Sequence, residues 1–200
     1  MNLTDKTFVF LGSSVTYGGD NYSMCEYLAD TTGASVVKWA VSGTTLSDAR
    51  PNSYVKRMLD AIGAQDVCDH FIVQLSTNDA GNADVVLGEV SDSVDPADFD
   101  VKTTVGAMEF IIATARARWG CPISFYTGTY MKNPRYADMV DKLFALREKW
   151  GIGIIDLWND PDMRAVSAED YARFMKDPVH PTREGYDLWW GPKFAAYLAL

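Results

Sequence analysis

Five short apolar runs recur along the chain. Longer stretches with apolar residues three and four positions apart separate them, and this alternation restricts the fold more than any other feature. The runs are Phe8-Val9-Phe10-Leu11, Ser35–Val41, Phe71–Leu75, Pro122–Tyr126 and Ile152–Leu157. Each is short and rich in β-branched or aromatic residues, as buried strands are. Between them, Met24, Tyr27 and Leu28, then Val55, Met58, Leu59 and Ile62, then Val105, Met108, Ile111, Ile112 and Ala115 repeat at helical spacing. Further helices are expected over residues 136–150, 168–175 and 184–200, and residues 80–100 read as a long surface loop. Regular strand–helix alternation predicts a parallel sheet with helices on both faces. The expected fold is therefore α/β: a three-layer α/β/α sandwich around a five-stranded parallel, flavodoxin-like sheet, as one domain over residues 1–200.

Charge narrows the partners. The net charge is −9, and Asp79, Asp84, Glu89, Asp92, Asp95, Asp98 and Asp100 supply −7 of it within a stretch that holds no Lys or Arg. Nucleic acid and anionic membranes are poor partners for such a surface. No run approaches the ~18 apolar residues that span a bilayer, so integral membrane association is not expected. Met1–Lys6 has neither the basic nor the apolar segment of a secretory leader, so a cytoplasmic location is expected. Cys25, Cys68 and Cys121 are odd in number and far apart. That spacing argues against a disulfide framework and a zinc site, and all three are expected to act as small core residues.

Three of the strands end in small polar turns: Ser13-Ser14, Ser42-Gly43, and Ser76-Thr77-Asn78-Asp79. In a parallel sheet these turns share one edge, where open α/β sheets usually bind their ligands. A fourth element, Asp177-x-x-His180, comes after the fifth strand. A spacing of three lets the carboxylate curl back to the imidazole. Serine, histidine, an orienting carboxylate and amide donors are the parts of an acyl-transfer site. Each part also has an ordinary use, serine as a helix cap, Asn78-Asp79 as a turn, Gly43 as a turn glycine. His70 opens the third strand outside any such pattern and reads as structural. The stretch leaving the third strand carries two readings: a solvated insertion, or a flap whose charge favours neutral esters over anionic ones.

The four pieces, taken in order, resemble the SGNH (also called GDSL) hydrolase family over nearly the whole chain. Gly12-Ser13-Ser14-Val15-Thr16-Tyr17-Gly18 is similar to the family's first block, which implies Ser14 as nucleophile. Ser13 stands where many members carry aspartate, so Ser13 and Ser14 are rivals, and the G-x-S spacing favours Ser14. Gly43 resembles the second-block glycine and Asn78 the third-block asparagine, although Ser76 replaces the usual glycine there. The resemblance implies an oxyanion hole built from the Ser14 and Gly43 N–H groups and the Asn78 side chain. It also implies a triad in which His180 is the general base and Asp177 its orienter; Pro181-Thr182 and Gly185 fit the continuation of the last block.

The same resemblance implies an esterase that cleaves carboxylic esters without a metal or organic cofactor. Short-chain acyl or acetyl esters, acetylated carbohydrates among them, are the expected substrates. Two other classes compete. One is a non-catalytic carbohydrate- or ester-binding module on the same fold, which would not need Ser14, Asn78 and His180 together. The other is a nucleotide-binding α/β protein, but neither G-x-G-x-x-G nor G-x-x-x-x-G-K-[ST] occurs.

Overall fold

The computed structural model describes residues 3–200, so Met1 and Asn2, part of the leader reading, lie outside the described residues. Its frame is a five-stranded sheet in the order β2-β1-β3-β4-β5, every neighbouring pair parallel. The strands are β1 (Thr7–Gly12), β2 (Ser35–Ala40), β3 (His70–Gln74), β4 (Ile123–Tyr126) and β5 (Gly153–Ile155). The helices are α1 (Ser14–Tyr17), α2 (Met24–Thr32), α3 (Tyr54–Ile62), α4 (Thr77–Gly81), α5 (Thr104–Trp119), α6 (Pro134–Trp150), α7 (Pro161–Arg164), α8 (Ala168–Phe174), α9 (Arg183–Gly185) and α10 (Gly191–Leu198). A π-helical turn, Tyr186–Trp190, joins the last two into one helical run. The α/β/α layering and the flavodoxin-like strand order are those expected from the alternation.

The two-residue period of the strands builds two cores. Val9, Leu11, Phe71, Val73 and Phe125 pack with α3, α5 and α6 on one face. Phe8, Phe10, Ile72 and Tyr126 pack with α2 and the C-terminal run on the other. Local signals set the helix ends. Ser23 and Glu26 form a capping box at α2, and Asn133 caps α6 with Pro134 in its first turn. Gly120 and Gly151 close α5 and α6 in the left-handed conformation.

Several expectations need correction. On α3 the buried residues are Tyr54, Val55 and Met58, whereas Leu59 is 51% exposed. Cys25 is a core residue, but Cys68 and Cys121 are only half-buried. They lie just before the paired strands β3 and β4, which brings their sulfurs to 3.7 Å. The acidic stretch lies mostly at the surface, as expected, but is held there by ion pairs and hydrogen bonds. Arg50 pairs with Asp84 and Lys142 with Glu89. Lys149 donates to the Ser91 carbonyl at 2.6 Å and pairs with the fully buried Glu109.

His70 behaves as a structural residue. Its Nε2 lies 2.8 Å from Ser124 Oγ, which is itself 3.1 Å from the Tyr197 hydroxyl. Burial pushes the imidazole down to about 4 from an ordinary 6.5. Between those values the unfolded chain takes up a proton that the folded chain refuses, so stability falls as pH drops through this window. The whole interval corresponds to roughly 3 kcal/mol. His70→Gln should therefore flatten the loss of melting temperature between pH 6.5 and 4, and an unchanged slope would clear His70 of that role.

Candidate active site

The strand order reverses between β1 and β3, and the site forms at that point, where loops leaving the two strands diverge. At Gly12 the chain turns sharply from β1 into α1. A Cβ there would sit 1.7 Å from Thr16 Oγ1 and 2.8 Å from Gln74 Oε1, so only glycine allows the approach. Gln74, nearly fully buried at the end of β3, organises this turn through one atom. Its Oε1 accepts the Ser13 N–H at 2.9 Å and the Thr16 hydroxyl at 2.8 Å.

That arrangement separates the two serines. Ser13 is 0% exposed and its hydroxyl points back to Gln74 Oε1 at 3.4 Å. Ser14 is half-buried, and its Oγ lies 2.8 Å from His180 Nε2. His180 Nδ1 is 2.8 Å from Asp177 Oδ2. The other carboxylate oxygen, Oδ1, accepts the backbone N–H groups of Val179 and His180 at 2.8 and 2.9 Å. Partial burial pulls the Asp177 carboxyl upward, but these donors and the ring outweigh it and hold the group below the usual carboxylate range. A relay of this form can draw a proton from Ser14 onto an imidazole that a carboxylate orients. His70 and Ser124 make a comparably close pair with no carboxylate on the ring, and Ser124 is buried.

The two other loops lie alongside. Gly43 has φ of +78° and is exposed, and a Cβ there would meet nothing within 4 Å, so its backbone conformation and not crowding calls for glycine. Asn78 Nδ2 donates to the Thr44 carbonyl at 3.0 Å, which leaves its second amide hydrogen for a ligand. Asp79, counted with the surface acids in the sequence, is in fact fully buried. Its carboxylate accepts the N–H groups of Leu46 and Ser47 and the Thr104 hydroxyl at 2.7, 3.0 and 3.1 Å. Burial pushes its carboxyl up against the pull of these donors. Gln74 and Asp79 were missed by sequence reasoning as residues that shape the site; a polar residue ending an otherwise apolar strand was the available signal for Gln74.

A cavity of about 250 Å³ opens on Ser14, with Gly18, Gly19, Ser42, Lys176 and His180 in its walls. Gly43, Asn78 and the seven acids from Asp79 to Asp100 are not among the residues that line it. A larger cavity, about 480 Å³, lies between the loop after β4 and α8, but none of Ser14, Asp177 and His180 lines it. Chemistry rather than volume locates the site. Among the described residues, no group of three or more His, Cys, Asp or Glu could hold a metal ion, and no helix is long and apolar enough to cross a membrane.

The model of the GDSL-like lipase/acylhydrolase family matches residues 10–188. No curated protein sequence matches the chain. Among solved structures, a protein from Lactobacillus plantarum is 19% identical, with a TM-score of 0.77 over 97% of this chain and 96% of that one. The aryl esterase of M. smegmatis is 14% identical, with a TM-score of 0.67 over 97% and 98%. An acetyl xylan esterase is 13% identical, with a TM-score of 0.69 over 96% and 99%. At these identities the structural likeness concerns the fold alone.

Proposed function

The chain belongs to the GDSL-like lipase/acylhydrolase family, and on that premise we propose that it is a serine esterase acting on short-chain acyl esters, acetyl esters foremost. One observation carries the reading: Ser14 Oγ, His180 and Asp177 form a continuous hydrogen-bonded relay with both links at 2.8 Å. In the first step Ser14 Oγ bonds to the ester carbonyl carbon while its proton passes to His180 Nε2. The carbonyl oxygen takes the negative charge and is met by the Ser14 N–H, the Gly43 N–H and the free amide hydrogen of Asn78. His180 then gives its proton to the departing alcohol oxygen. Water, deprotonated by the same nitrogen, releases the carboxylic acid and restores Ser14.

The small volume of the cavity at Ser14, about 250 Å³, supports a short acyl group. The acetyl xylan esterase among the structural relatives makes acetylated carbohydrate the leading substrate class to test. Asn78→Ala should lower kcat on p-nitrophenyl acetate by about 10²–10³-fold, the usual effect of one lost oxyanion donor. KM should change little and the protein should stay folded, since Asn78 is not a core residue. A loss confined to KM would make Asn78 a substrate-positioning group instead. Stoichiometric ligand binding by the wild type with no acetate release would replace the esterase with the binding module.

A further inference from the structure

Arg57 lies on α3, outside every sequence block that pointed to the site, yet it holds two of the three loops that carry the oxyanion donors. Its Nη2 donates to the Gly12 carbonyl at 2.6 Å. Its Nη1 donates to Thr44 Oγ1 at 2.9 Å and also to the Asn52 carbonyl. The guanidinium stacks over the Tyr54 ring, 5.1 Å from its centroid. Gly12 stands two residues before Ser14, and Thr44 comes directly after Gly43. Thr44 also joins the third loop, because its carbonyl accepts the Asn78 amide at 3.0 Å and its hydroxyl donates to the Val41 carbonyl at 2.6 Å.

The surroundings make this an expensive arrangement. Arg57 is half-buried, its Nε is buried without an acceptor among the described residues, and burial lowers its pKa. A buried N–H left unpaired destabilises the fold by about 1–3 kcal/mol. A planar fork can hold two acceptors at fixed separation, which a lysine ammonium cannot do. At the far end of the same loop the buried Asp79 holds the Leu46 and Ser47 N–H groups. Gly43, with its positive φ, is thus the unanchored residue between two fixed points.

We propose that Arg57 is a positioning residue for the oxyanion hole, fixing the Ser14 turn against the Gly43–Thr44 loop and, through Thr44, against Asn78. The proposal rests on the acyl-transfer reading of Ser14, His180 and Asp177. It places Arg57 away from the reacting atoms and makes its effect one of donor geometry, where an error near 1 Å can lower the rate by ~10²-fold.

The test measures kcat and KM on p-nitrophenyl acetate, with thermal melts, for wild type, Arg57→Ala, Arg57→Lys, Thr44→Val, Thr44→Ser and the Arg57→Ala/Thr44→Val pair. Arg57→Ala should lower kcat by about 10–100-fold with KM nearly constant, and Arg57→Lys should not restore it. Thr44→Val, which keeps the shape and removes the acceptor, should lower kcat also, while Thr44→Ser should stay near wild type. The double variant should lose little more than the worse single one, because both remove the same clasp. If Arg57→Ala does not fold, the Thr44→Val and Thr44→Ser contrast decides alone. Wild-type kcat in Thr44→Val, losses that multiply in the double variant, or an effect on KM alone would overturn the proposal. A wild type without turnover would instead refute the esterase reading, so the two failures are distinct.

Discussion

Ser14→Ala is expected to lower kcat on an acetyl ester by on the order of 10⁶-fold, leaving only what the oxyanion donors and binding achieve without a nucleophile. The variant should remain folded, because Ser14 caps no helix through its side chain and the turn is held by Gln74 through Ser13 and Thr16. Ser13→Ala should do something quite different. The Ser13 hydroxyl is fully buried, 3.4 Å from Gln74 Oε1 and without a histidine partner. Its loss removes one weak buried hydrogen bond, worth about 1 kcal/mol of stability, and should leave turnover close to wild type. Steady-state rates of the two variants beside wild type make the comparison. A Ser13→Ala enzyme as inactive as Ser14→Ala, with both folded, would reassign the nucleophile.

Asp177→Asn carries the second large effect. Oδ1 accepts two backbone N–H groups, so the amide oxygen of the variant must stay there. The new NH2 group then replaces Oδ2, 2.8 Å from His180 Nδ1. With a donor at the nearer position and only Oδ1 left as acceptor, 3.0 Å away and already taking two N–H groups, the imidazole is shifted toward carrying its proton on Nε2 and presenting it to Ser14. A ring in that tautomer cannot accept the serine proton, and kcat should fall by about 10⁴-fold. The loop should keep its shape, because both backbone acceptances survive, so melting temperature should barely move. A loss smaller than about tenfold, on a scale where 1.36 kcal/mol is one factor of ten, would mean that Asp177 does not set the tautomer.

The strands and their polar ends were legible because they depend on local rules: apolar runs of the right length, then small residues at the turn. Strand order was legible only through the strand–helix alternation as a whole, which implied a flavodoxin-like sheet. That β1 lies between β2 and β3 is a result of packing helices on two faces, which no single window of sequence records. The two candidate serines remained rivals in the sequence because the feature that separates them, Gln74, is distant in the chain and reads as one more strand residue. Arg57 and Asp79 escaped for the same reason: an arginine on an amphipathic helix and an acid heading an acidic loop look like surface residues. Leu59 shows the converse, since helical spacing placed it in the core while the pitch of α3 turned it to solvent. Long-range polar contacts have no period.

The most direct measurement is the site of covalent capture. The wild-type protein should react with a fluorophosphonate to give one adduct per chain, and peptide mapping should place it on Ser14. Labelling should be slowed sharply in His180→Ala and absent in Ser14→Ala. An adduct on Ser13 or Ser124, or labelling of wild type and Ser14→Ala to the same extent, would contradict the assignment of Ser14 as nucleophile.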